Sequence, residues 1–171
     1  MEGIKLATEL VEVKVLGVTI DPTNNQTVVI LKEIDSDRVL PIWVGPFEAG
    51  AIAMAIEGIK PPRPIAYDLM SDILQIFDLN VVKVIIESLK DGVFYAQIVI
   101  SQNDREEYLD CRPSDSIAIA VRLLAPIYVK RDLFESSSVS FIKKEINDEE
   151  EETKKFKDFI KNLKPSDFKW H

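Results

Sequence analysis

Histidine and cysteine are almost missing from this chain of 171 residues: Cys111 is the single thiol, and His171, the last residue, the single imidazole. One cysteine excludes an intrachain disulfide and a multi-cysteine zinc site, and points to a reduced, cytosolic setting. A lone terminal histidine removes histidine-based acid/base chemistry and His-ligated metals, so any catalysis must run on carboxylates, Arg, Lys, Tyr or hydroxyls. No uncharged apolar run approaches the ~18 residues of a membrane span. The N-terminus carries Glu2, Glu9 and Glu12 where a signal peptide would have an apolar core, so a soluble cytoplasmic protein without a membrane partner is expected. There is no Gly-rich phosphate loop and no Ser-His-Asp set, which removes nucleotide triphosphatase and triad hydrolase readings.

What is present is ordinary apolar content in a chain of single-domain size, able to bury about 70% of its unfolded surface without staples. Net charge is −8. Residues 143–171 hold eight acids and eight bases, so the excess lies in residues 1–142, with 21 acids against 13 bases. That balance is awkward for a nucleic-acid binder, whose affinity comes from Lys and Arg displacing counterions from phosphates.

The chain also repeats itself. Pro46-Phe47-Glu48 with Ala51-Ile52-Ala53 returns as Pro113-Ser114-Asp115 with Ala118-Ile119-Ala120, at a constant displacement of 67 residues (46 to 113). Asp37-Arg38 falls on Asp104-Arg105 in the same register, and Pro64-Ile65 with Asp68-Leu69-Met70 has counterparts in Pro126-Ile127 and Asp132-Leu133-Phe134. A duplicated unit places its special residues in pairs around a pseudo-twofold axis. Units at about 10–80 and 81–144 make up one domain, 1–144, followed by an acidic linker and C-terminal amphipathic helix over 145–171.

Alternation over Val11, Val13, Val15, Val18 and Ile20 predicts a strand with a bulge at Gly17. Thr27 to Ile34 and Arg38 to Val44 are two more strands. Gly45-Pro46 opens a helix to about Glu57, with Pro where its missing N–H costs nothing. Asp68 to Leu79 reads as an amphipathic helix whose Leu69, Ile73, Ile76 and Phe77 share a buried face while Asp72 and Gln75 stay wet. Strands at Val81–Ser88, Val93–Ile100 and Tyr108–Cys111 follow, then a helix from Pro113 to near Leu124, a strand at 126–129, a surface loop at Ser136–Ser138 and a last strand over Val139–Lys143. The helices from Pro46 and Pro113 are apolar on every side, which predicts burial all round. The expected fold is α+β: a duplicated strand-strand-strand-helix unit with a bent, mostly antiparallel or mixed sheet around central apolar helices, in a homo-oligomer.

Leu40-Pro41-Ile42-Trp43-Val44-Gly45 with Glu48, Arg63-Pro64 leading to Asp68-Leu69, Ser88 to Ala96, and Cys111-Arg112-Pro113-Ser114-Asp115 through Ala120 together resemble the bifunctional nuclease domain family, from about Val11 to Phe134. The tail from Phe156 to Phe168 is similar as well. The resemblance implies a nuclease of low sequence specificity acting on RNA and/or DNA. A non-catalytic anion-, nucleotide- or protein-binding module is the alternative, favoured by the acidic body.

Glu48 and Asp115 occupy the third positions of twin helices, where a carboxylate caps free backbone N–H groups. The functional alternative makes them, with Asp68, the catalytic acids. Helix N-termini favour anions over cations, so phosphate is expected at the helix ends on Arg63 and Arg112, and a metal (Mg²⁺ or Mn²⁺), if used, on Asp68, Asp72 or Asp91. Each has a structural alternative: ion pairing for the arginines, dipole stabilisation for Asp68 and Asp72, a hairpin turn for Asp91-Gly92. Trp43, Tyr67, Phe94 and Tyr95 are stacking candidates or strand core.

Overall fold

Strong period-two patterning gives this chain its long strands, and the computed structural model describes residues 9–140. Strands β1 (Leu10–Ile20), β2 (Thr27–Glu33) and β3 (Arg38–Val44) form the first meander, followed by helices α1 (Pro46–Ile56) and α2 (Ala66–Ile76). Strands β4 (Asn80–Lys90), β5 (Val93–Gln102) and β6 (Arg105–Cys111) form the second, followed by α3 (Pro113–Leu123), β7 (Ile127–Lys130), α4 (Arg131–Ser137) and β8 (Val139–Ser140). The expected bulge lies between Val15 and Gly17. The C-terminal helix and linker of 145–171 fall outside the described residues.

The eight strands of the described residues join one sheet in the order β6-β5-β4-β7-β1-β2-β3-β8. The two meanders run outward from the middle in opposite directions, and β7 is inserted between them, antiparallel to β1 and parallel to β4. The sheet is therefore mixed, and the architecture is the α+β fold with internal duplication read from the sequence.

Helix α3 lies against β4 and β5 and touches both α1 and α2. Between helices and sheet sits the main core, with Val29, Leu31, Leu40, Ile42, Ile52, Val84, Ile86, Ile117 and Phe134 almost fully enclosed. Each such side chain contributes roughly 1.5–3 kcal/mol on burial. A smaller cluster of Val28, Ile30 and Val39 with Trp43 and Val139 covers the other face, which is why β2 reads as a continuous apolar run.

Three expectations fail here. Helix α1 is not enclosed: Ala49, Ala51 and Ile52 are buried, but Phe47 is 88% exposed, because only α3 and one stretch of sheet cover it. Helix α2 lacks the expected buried apolar face: Leu69, Met70, Ile73, Ile76 and Phe77 are exposed. Asp72 and Gln75 are exposed as expected, and with Asp68 and Ser71 they line a groove toward α1 and α3. Polar contacts of Asp68 and Tyr67, with the Tyr67 ring packed on the core, dock the helix. Finally, Ser136 and Ser137 end helix α4 instead of forming a loop. The repeat signalled this, since Asp132-Leu133-Phe134 answers Asp68-Leu69-Met70 of α2.

Candidate functional site

Both central helices begin with proline, so each leading turn projects its acidic third residue toward the junction of the two halves. The carboxylates of Glu48 and Asp115 meet there on one guanidinium. Arg112, the N-cap residue of α3, donates from Nε to Asp115 Oδ2 (2.7 Å) and from Nη2 to Asp115 Oδ1 (3.0 Å). The same Nη2 lies 3.0 Å from Glu48 Oε1. Tyr67 of α2 closes the cluster, its hydroxyl donating to Asp115 Oδ1 at 2.6 Å. Neither acid caps its own helix through its side chain. That role falls to Asp68, whose Oδ2 accepts from the Ile65 N–H at 3.0 Å.

Gly45 matters to this geometry. A Cβ there would collide with the Glu48 carboxylate, which folds back over the N-cap. Position 45 is the repeat counterpart of Arg112, so one copy supplies the space and the other the cation.

Behind the cluster lies a second ion pair. Arg122 donates from Nε to Asp68 Oδ1 at 2.7 Å, and its other nitrogens reach the carbonyls of Ala118 (2.8 Å) and Ala51 (3.1 Å). Ala51 and Ala118 are themselves repeat counterparts. The guanidinium also sits over the Tyr67 ring, 5.6 Å from its centroid. The network thus runs Glu48, Arg112, Asp115, Tyr67, Arg122, Asp68 across three helices.

The electrostatics follow from these contacts. Burial works to raise the Asp115 carboxyl, but hydrogen bonds from Arg112 and Tyr67 outweigh it and hold the group below its ordinary value, firmly ionised. Burial, then the Asp115 hydrogen bond, raises the Tyr67 phenol, which stays a protonated donor. Arg112 is raised chiefly by Asp115. The Arg122 hydrogen bond, joined by the Ile65 N–H, lowers Asp68.

Arg112 has 66% of its side chain exposed, at the mouth of a cleft of about 410 Å³. The cleft runs between the β1–β2 turn, the β4–β5 turn and the two helix N-termini, and both N-cap residues, Gly45 and Arg112, border it. Pairs from the duplication therefore do share one hollow.

The other expected residues lie elsewhere. Arg63 sits exposed on the proline-rich link and borders neither this cleft nor the α2 groove. Asp72 lines the α2 groove with Asp68, and Asp91 occupies the left-handed position of the β4–β5 turn, with φ 51°. Among the described residues no three His, Cys, Asp or Glu side chains gather closely enough to hold a metal. The two carboxylates that do meet already share Arg112, a donor set poorly suited to a divalent ion. Sequence reasoning passed over Tyr67 and Arg122 as members of this site. The available signal was Arg122, the one basic residue of α3, set in an apolar run that begins at Ile117. Of the stacking candidates, Phe94 and Trp43 border the cleft, and the Trp43 Nε1–H is tied to Asp21 Oδ2 at 3.1 Å.

With the fold and this cluster in view, comparison with known proteins is informative. The family profile of the Bifunctional nuclease domain matches residues 29–141. An uncharacterized protein of Mycobacterium tuberculosis is 38% identical over 164 residues, covering 92% of this chain and 98% of the mycobacterial one. The chain belongs to the bifunctional nuclease domain family. Bifunctional nuclease 1 of Oryza sativa subsp. japonica is 30% identical over 114 residues, 65% of this chain and 34% of the rice protein. Bifunctional nuclease 2 of Arabidopsis thaliana is 26% identical over 121 residues, 37% of its length. The chain thus spans about a third of the plant relatives it matches. No helix among the described residues is long and apolar enough to cross a membrane.

Proposed function

We propose that this protein is a cytoplasmic nuclease of low sequence specificity that hydrolyses phosphodiester bonds in RNA and/or DNA at the cleft bordered by Arg112. The observation that carries this reading is the convergence of Glu48, Asp115 and Tyr67 on Arg112 from both halves of the duplication. Among the described residues Arg112 has no acceptor on Nη1, so it can take a phosphate oxygen while Asp115 and Glu48 fix its plane. Asp115 and Tyr67 act as positioning residues. Glu48 makes one contact against Asp115's three, and is the better base. A water oxygen bonds to phosphorus, its proton passes to Glu48, and the ester P–O bond breaks with the leaving oxygen taking a proton from solvent. Asp68, held by Arg122, supports the helices.

The test is incubation of purified protein with labelled RNA and DNA, with and without EDTA. Cleavage is expected to fall about 100-fold or more in Arg112→Ala and in the Glu48→Gln, Asp115→Asn double variant. Full activity in the double variant with the fold kept would remove the assigned site. Loss of activity in EDTA would show that Mg²⁺ or Mn²⁺ arrives with the substrate. No cleavage by the unaltered protein would favour the second reading, a non-catalytic anion- or nucleotide-binding module, which the negative body charge supports.

The homo-oligomer belongs to this proposal too, with its support on α2 rather than on the central helices. The exposed row of Leu69, Ile73, Ile76 and Phe77 is the kind of apolar surface a second copy covers. A monomeric mass in solution at micromolar concentration would remove that part alone.

A further inference from the structure

The cleft beside Arg112 holds more than an anion requires. Ser114, at the second position of α3, is only 7% exposed, borders the cleft, and its hydroxyl has no hydrogen-bond partner among the described residues. The Asp115 and Ser116 N–H groups both turn back to the Arg112 carbonyl, at 3.1 Å each. No buried side-chain oxygen among the described residues is left unpaired, so this hydroxyl opens onto the cleft, free to donate to something from outside the chain that accepts its hydrogen bond. An oxyanion resting on Arg112 Nη1 would do so.

The rest of the hollow is not shaped for phosphate alone. Its inner wall is apolar, made by Ile42, Val44 and the half-buried ring of Phe94. On the rim, the Gln26 side chain is set by its neighbour: Asn24 Nδ2 donates to Gln26 Oε1 at 3.2 Å, and Asn24 Oδ1 accepts from the Gln26 N–H at 3.0 Å. With its oxygen taken, that amide offers Nε2 as a donor to a ligand. Anion donors at one end, a flat apolar wall and one fixed amide donor describe a phosphorylated, flat, heteroaromatic molecule. The volume of about 410 Å³ lies within the range of small-ligand sites.

We propose that this cleft is a nucleotide subsite. The phosphate binds Arg112 and Ser114, the base packs on Phe94 against Ile42 and Val44, and a carbonyl acceptor on the base edge meets Gln26 Nε2. As a substrate subsite this rests on the nuclease reading; as a binding site it stands without it. Its consequence for substrate class is that the base must leave any stack to reach Phe94, so single strands are preferred over duplexes.

Isothermal titration of the full chain with uridine 5′-monophosphate, ribose 5-phosphate, uridine and inorganic phosphate tests it. The nucleotide is expected to bind at least tenfold tighter than ribose 5-phosphate or uridine. Phe94→Leu, which keeps the apolar volume, is expected to erase the advantage over ribose 5-phosphate; Ser114→Ala to weaken both phosphorylated ligands about fivefold; and Gln26→Ala, on the exposed rim, to weaken uridine 5′-monophosphate and not ribose 5-phosphate. Equal binding of inorganic phosphate and nucleotide would overturn the subsite, as would nucleotide binding that ignores all three substitutions. Nucleotide binding with this pattern and no cleavage of RNA or DNA would keep the subsite and sink the nuclease; cleavage without nucleotide binding would do the reverse.

Discussion

Helices α1 and α3 repeat one another at a displacement of 67 residues, yet they end in different surroundings. The one with more unbroken apolar sequence is the more exposed. In α3, Pro113, Ser114, Ser116, Ile117, Ala118 and Ala120 are all buried; in α1, only Ala49, Ala51 and Ile52 are. Neighbours decide this, not hydrophobicity: α3 has sheet on one side and α1 and α2 on the others, while α1 has α3 and part of the first meander. Their leading turns have diverged in a complementary way. The acids at positions 48 and 115 are kept, but the N-cap is Gly45 in one and Arg112 in the other, so two like-charged helix ends can meet on a single cation. Duplication supplied the pair, and asymmetry at one position turned a repulsive pair into a bridged one.

That view is broken most directly at Arg122, which holds the twin carbonyls of Ala51 and Ala118 together with Asp68. Its side chain is 10% exposed, against 28% for Asp68. Arg122→Met removes the cation and leaves a carboxylate and two carbonyls to find water in a narrow space. The expected loss is about 2–3 kcal/mol, below the full cost of orphaning a deeply buried charge because Asp68 keeps some solvent. Thermal unfolding would show it as a drop of roughly 4–12 °C. Adding Asp68→Asn should recover part of the loss. An unchanged midpoint in Arg122→Met would mean that the helices dock without this bridge.

A smaller effect separates the halves by pH. Asp115 and Asp68 both have folded values below the ordinary 3.8. A carboxyl lowered on folding binds its proton more readily in the unfolded chain, so its contribution is present above that ordinary value and is lost as pH falls through the lowered one. Unfolding midpoints should therefore hold steady from neutral pH down to about pH 4 and fall below it. Asp115→Asn should flatten the fall. An acid limb identical in that variant would assign the pH dependence to other carboxylates.

Much of this was legible beforehand, and what was not has a physical cause. Period-two runs and the Gly-Pro and Arg-Pro helix starts set the strands and the starts of α1 and α3, because they are local signals. The pairing of Glu48 with Asp115 was legible through the repeat, which carries long-range information in one dimension. The orientation of α2 was not: its apolar face, with Leu69, Ile73 and Ile76, reads as core by every local rule, and only the tertiary placement of Arg122 against Asp68 turns it outward. Tyr67 was hidden for the same reason. An aromatic residue before a helix reads as a stacking platform or as core, and its hydroxyl acquires a role only when α3 brings Asp115 within reach. Asp68 was read as a first-turn dipole partner, a catalytic acid or a metal ligand; in the structure its carboxylate caps Ile65 and pairs with Arg122, a residue 54 positions away.

The finest test of the comparison is Gly45→Ala, which makes one N-cap slightly more like an ordinary residue. Backbone conformation is no obstacle, since φ −66° and ψ 154° suit any amino acid. The added methyl would meet the end of the Glu48 side chain rather than backbone, and that carboxylate can swing away. Stability should hold or rise by about 0.4–1 kcal/mol, because alanine has less freedom to lose on folding. Under the proposed chemistry, cleavage should fall several-fold, since a displaced Glu48 leaves the 3.0 Å contact with Arg112. The decisive measurement is a double-mutant cycle. If Gly45 acts only by making room for Glu48, then Glu48→Gln costs much less activity in the Gly45→Ala background than in the unaltered protein. Fully additive losses would mean that the space at Gly45 serves something other than the carboxylate above it, and the complementarity of the two helix starts would be coincidence.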